Sequence, residues 1–89
     1  MITVDSIPAL NNHFRFQWEQ AQESYVLLYP EGMIQLNGPA GEILSLVDGE
    51  RSVAAIVAEL KGKFGDVDGL ENDVMEFLVD AQGQRWIEV

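Results

Sequence analysis

The hydrophobic period of this chain changes once, at Asn37, and that change limits what the chain can fold into. From His13 to Glu19 the chain alternates, with Phe14, Phe16 and Trp18 on one side and Arg15, Gln17 and Glu19 on the other. Successive side chains of extended backbone point to opposite faces, so a period of two marks a half-buried strand. After Asn37 the apolar residues recur every three to four residues, the period of an amphipathic helix. Strands first and helices afterwards point to an α+β domain, not to alternating βαβ units.

Turn chemistry divides each half. The pattern predicts strands over His13–Glu19, Ser24–Tyr29 and Met33–Leu36. Gln20–Glu23 is a polar connector, and Tyr29-Pro30-Glu31-Gly32 reads as a β-turn, since proline pre-sets the second position and glycine suits the fourth. The middle strand is apolar on both faces, so its outer face is either covered or meets something. Asn37 is a good cap for a first helix, with Pro39 in the first turn and Ala40, Ile43, Leu44 and Val47 along one side. Ser52 caps a second helix, striped by Val53, Ile56, Val57, Leu60 and Phe64. Asp68 caps a third, striped by Leu70, Val74, Phe77, Leu78 and Ala81. Gly32, Gly49, Gly65 and Gly83 fall at element boundaries, where glycine supplies positive φ. Trp86–Val89 closes as a short extended segment.

The expected architecture is therefore a winged helix-turn-helix-like domain over residues 13–89, a three-stranded antiparallel sheet followed by three helices. Asp48–Arg51 would be the turn of the helical pair. Residues 1–12 are polar and irregular and are expected to form a flexible N-terminal tail. Eighty-nine residues suffice for one domain.

Charge and composition exclude several functions. Fifteen acidic residues against five basic ones leave a net charge of −10. Nucleic-acid binding rests on Lys and Arg meeting phosphate, and the third helix has neither between Leu70 and Gln84. A DNA-binding winged helix is disfavoured on that ground, and an anionic membrane surface would repel the chain. With no cysteine there is no disulfide, thiolate nucleophile or iron–sulfur ligation, and a reducing, cytoplasmic setting is expected. Met1–Leu10 lacks the basic flank and apolar run of a signal peptide.

Catalytic chemistry is equally sparse. His13 is the only histidine, at the start of a strand, so a catalytic subunit would have to rely on it. The acidic run Asp66, Asp68, Glu71, Asp73 fails as a calcium loop, because aligning Asp68-Gly69 with positions five and six leaves Phe64 at the first and Met75 at the twelfth. No glycine-rich loop cradles phosphate. The expectation is a non-catalytic binding module without cofactor or metal.

The run Leu27-Leu28-Tyr29-Pro30-Glu31-Gly32-Met33, then Leu36-Asn37, Ile43-Leu44 and Asp48-Gly49, resembles the PqqD family. Phe14–Glu19 and Ala21-Gln22-Glu23 upstream are similar too, as are Ile56, Leu60, Phe64, Asp73-Val74, Phe77-Leu78 and Trp86 downstream. The likeness runs from Pro8 almost to the end; within it, Gly38-Pro39-Ala40-Gly41 and Gly83 should weaken the helices. The resemblance implies a peptide chaperone, a recognition element for ribosomally made and modified peptides. Such a protein binds the precursor peptide PqqA and presents it to the radical S-adenosylmethionine enzyme PqqE in pyrroloquinoline quinone biosynthesis. It implies a precursor that adds as a strand beside the third strand and packs on the third helix, by β-augmentation. The edge would be Met33, Ile34, Gln35 and Leu36, and the other wall Val74, Phe77, Leu78 and Ala81. Binding of that kind should depend weakly on salt, leaving the acidic surface to steer a basic patch on the enzyme. A monomer is expected, though an exposed edge can also self-pair into a dimer.

Overall fold

The three expected strands form one antiparallel sheet in the computed structural model, which describes residues 1–89. The elements in chain order are β1 (Ala9–Leu10), β2 (Arg15–Glu19), β3 (Ser24–Tyr29), β4 (Gly32–Gln35), α1 (Gly38–Leu44), α2 (Val53–Phe64), α3 (Leu70–Gly83) and β5 (Ile87–Glu88). The main sheet has the order β2-β3-β4. Its register is fixed by two short connections, a four-residue one between the paired Glu19 and Ser24, and the Pro30–Glu31 turn between the paired Tyr29 and Gly32. In the first, Glu23 takes the left-handed conformation at φ 49°. Gly32 does not have positive φ; its place in the turn needs none.

The α+β class holds, with one addition. β1 and β5 pair antiparallel as a second, two-stranded sheet, Ala9 opposite Glu88 and Leu10 opposite Ile87. The first twelve residues are therefore not a loose tail. Ile2 and Pro8 are buried. The carbonyls of Val4 and Ser6 accept from Ala54 N and Val53 N, both at 2.9 Å, and so occupy donors in the first turn of α2 that have no intrahelical partner. Pro8 O accepts from Gly49 N at 3.1 Å. The apolar residues that fasten this segment are single and unevenly spaced, so no period announces them.

One face of the main sheet carries the core. Leu27, on the central strand, packs with Ile43, Leu44, Ile56, Leu60, Val74 and Leu78 from the three helices. On the opposite face Val26 is also fully buried, between its ladder partners Gln17 and Gln35. This is why the middle strand is apolar on both sides. Phe16 stacks on Tyr25 at 4.6 Å, and Trp18 meets the same ring edge-on at 5.1 Å.

Two helix caps follow the sequence. Asn37 Oδ1 accepts from Ala40 N at 2.8 Å, and Ser52 Oγ accepts from Ala55 N at 3.2 Å. The third does not: α3 is entered through Gly69, left-handed at φ 80°, with no side-chain cap, so Asp68 is not the cap. Gly83 is the last residue of α3 and not its stop; the left-handed residue after that helix is Arg85, at φ 64°. Between α1 and α2 the Asp48 carboxylate closes the turn, accepting from Arg51 N and Glu50 N at 2.9 Å and pairing with Arg51 Nη1 at 2.7 Å. These bonds, that from Arg51 N foremost, hold Asp48 below its ordinary pKa of 3.8.

Candidate binding groove

β4 is an outer strand of the main sheet, and its free edge decides what it can bind. Leu36 N donates to Tyr25 O at 2.9 Å, which makes Leu36 and Tyr25 a hydrogen-bonded pair. Such pairs alternate along an antiparallel ladder, so Ile34 is bonded to Leu27 while Met33 and Gln35 are not bonded to β3. The N–H and C=O of Met33 and Gln35 therefore turn outward.

A groove of about 360 Å³ runs beside that edge. Ile34, Gln35 and Leu36 form one side, Asn37, Pro39, Ala40 and Ile43 one end, and Asp73, Phe77, Asp80 and Trp86 the other side. Asp73, Phe77 and Asp80 are spaced four and three apart, so they share one face of α3. The Phe77 and Trp86 rings lie 6.5 Å apart, tilted by 52°. Trp86 is fixed from behind, since its carbonyl accepts from Asn11 N at 2.8 Å and Asn11 Nδ2 donates to Arg85 O at 2.9 Å. Asn37 both caps α1 and lines the groove. Asp73 and Asp80 take part in neither ion pair of the molecule, Arg51–Asp48 or Lys63–Glu42, and no Lys or Arg lines the groove.

Of the residues singled out from sequence, Ile34, Gln35, Leu36 and Phe77 are brought together here. Met33 is exposed on the outer face of the sheet, where Gln22 Nε2 approaches its sulfur. Val74, Leu78 and Ala81 have no exposed surface and belong to the core. Sequence reasoning missed the lining from α1, Asp73, Asp80 and Trp86. Helical spacing held a usable signal: positions 73, 77 and 80 form a stripe beside the core stripe 74, 78 and 81, and Phe77 is its one apolar member. No helix is long and apolar enough to cross a membrane.

The arrangement can hold an extended chain by main-chain hydrogen bonds on one side and aromatic contact on the other. The family described as coenzyme PQQ synthesis protein D (PqqD) matches residues 24–87. The PqqA binding protein of Pseudomonas paraeruginosa is 56% identical over 87 residues, which are 98% of this chain and 95% of that protein. The solution NMR structure of the PqqD truncation of Methylobacterium extorquens PqqCD, described as a functional and stand-alone RiPP recognition element, superposes with a TM-score of 0.81 at 27% identity, covering 100% of this chain and 96% of that one. The crystal structure of PqqD from Xanthomonas campestris gives 0.59 at 32% identity, covering 100% of both chains.

Proposed function

The chain belongs to the PqqD family of coenzyme PQQ synthesis proteins, and from that premise we propose that it binds a PqqA-type precursor peptide and presents it to the radical S-adenosylmethionine enzyme PqqE. Its part is recognition without catalysis, as a monomer in the cytoplasm. The sheet and three helices are read as a winged-helix arrangement, with the Pro30–Glu31 hairpin as the wing.

One observation carries the reading: the outward N–H and C=O groups of Met33 and Gln35 lie on the free edge of β4, beside a groove that Ile34, Gln35 and Leu36 line and whose other side carries Phe77 and Trp86 with Asp73 and Asp80. The peptide extends the sheet as a fourth strand, and its main chain completes the hydrogen bonds that β4 leaves open. Side chains on one of its faces meet Ile34, Leu36, Phe77 and Trp86. Val74, Leu78 and Ala81 anchor α3 in the core beside the groove. The peptide is thereby fixed in register, and residues outside the groove are left free for the enzyme.

Titration of isotope-labelled protein with the PqqA peptide of Pseudomonas paraeruginosa tests this. The expected result is saturable amide shifts at Met33, Gln35, Phe77 and Asp80 and at the indole N–H of Trp86. Absence of shifts in both β4 and α3, with PqqE present, would overturn the reading. For presentation, peptide cross-linking by PqqE should depend on this protein and follow its affinity for the peptide.

A further inference from the structure

The groove does not stop at α1. Pro39, Ile43 and Asp73 line both the groove and a second cavity, of about 490 Å³, that opens beyond it. Ile43, Leu60, Phe64, Val67, Leu70 and Val74 make its apolar lining, drawn from all three helices and the α2–α3 connection. Two of these are poorly covered, Phe64 at 52% exposure and Val67 at 51%. A concave surface lined by exposed large apolar side chains marks a contact site. Its rim is braced, because Lys63 pairs with Glu42 from α1 and lies 5.5 Å from the centroid of the Phe64 ring. That pair neutralises Glu42. Asp73, at the junction of the two spaces and in the first turn of α3, takes part in no ion pair.

A strand lying along β4 and continuing past Gln35 toward Pro39 would approach this cavity, because Pro39, Ile43 and Asp73 line both spaces. We infer that the cavity takes a bulky apolar side chain of the same precursor peptide, carried just beyond the paired segment and flanked by a basic residue that meets Asp73. The inference rests on strand addition at β4. The shared lining names the peptide as occupant, and the unpaired charge at the junction names the sign of its neighbour. Recognition is then bipartite, with main-chain pairing setting position and the cavity selecting sequence. Peptide affinity must also carry a salt-dependent part, more than backbone pairing alone would give.

The test uses the full chain and the PqqA peptide of Pseudomonas paraeruginosa. Phe64→Ala and, separately, Val67→Ser alter exposed positions and should leave the unfolding transition nearly unchanged. Phe64→Ala is expected to weaken the peptide about 10-fold, a difference of ~1.4 kcal/mol. One bulky apolar residue of the peptide, changed to alanine, should cause a similar loss with the unaltered protein and little more with Phe64→Ala, the signature of direct contact. Asp73→Asn should flatten the salt dependence. Undiminished binding by both cavity variants, with shifts at Met33 and Gln35 but none at Val67 and Leu70, would overturn the cavity while leaving strand addition intact. Cavity shifts produced by PqqE without peptide would overturn it as well, assigning the surface to the enzyme. Shifts at neither β4 nor the cavity would remove the underlying reading.

Discussion

A Cβ added to Gly41 would lie 2.7 Å from Cδ2 of Tyr25, with the Tyr25 Cβ and Cγ at 3.2 and 3.3 Å. The ring has little room to retreat, held as it is by Phe16 and Trp18. A glycine that reads in sequence as a weakness of α1 is therefore what lets that helix sit on the sheet. Alanine would raise helix propensity by about 1 kcal/mol, but overpacking here costs about 1–3 kcal/mol. Gly41→Ala should lower the urea midpoint, by up to about 2 kcal/mol in net stability; a raised midpoint would show that Tyr25 gives way. Asp48 supports a second prediction at this scale. Its pKa is depressed by the bonds from Arg51 N and Glu50 N, so its stabilising effect is present above the ordinary value of 3.8 and is lost as pH falls through the depressed one. The stability difference between the protein and Asp48→Asn should be full at neutral pH and close only below that ordinary value, as measured by thermal unfolding across pH.

β4 is four residues long, and its two faces and two edges have separate uses. Ile34 faces the core side and Met33 the outer side, while the outward main-chain groups belong to Met33 and Gln35. Proline at an edge position whose N–H points to solvent removes that donor without breaking a ladder bond. Gln35→Pro should therefore leave the fold assembled and weaken the PqqA peptide at least about tenfold, read by titration calorimetry beside a far-UV spectrum. Unchanged affinity would mean the peptide does not pair with β4. The elements themselves were legible: Ser24–Tyr29 comes out to the residue, and Asn37 and Ser52 cap as their side chains suggest. α3 was legible only in part. Its broad apolar stripe merges the core residues Val74, Leu78 and Ala81 with Phe77, and composition alone does not tell which edge of a stripe faces a groove. The entry to α3 was misread because left-handed Gly69 makes the turn that a capping Asp68 would otherwise make.

At the scale of the molecule, the segment before β2 departs most from the sequence reading. Its hold comes from carbonyls of Val4, Ser6 and Pro8 and from two buried side chains, Ile2 and Pro8, none of which forms a pattern. Ile2→Ala should cost about 2 kcal/mol, at the low end for such a truncation because a chain end can relax. A chain covering only residues 13–89 should unfold at lower urea than the full chain. It should also bind peptide less tightly, since Asn11 no longer holds the backbone behind Trp86. Equal stability of the two chains would mean that β1 contributes nothing to β5. The β1–β5 pair has one more effect. Because Ala9 lies opposite Glu88, the chain enters β1 at Pro8 beside the point where it leaves β5 at Val89. The residues before Pro8 then run away from that point onto α2, where Val4 and Ser6 are bonded, so only the C-terminal end stays beside β1. A circular permutant that opens the chain in the Gln20–Glu23 connector would keep every strand pairing, provided that the link from Val89 to Met1 is long enough to reach the segment packed on α2.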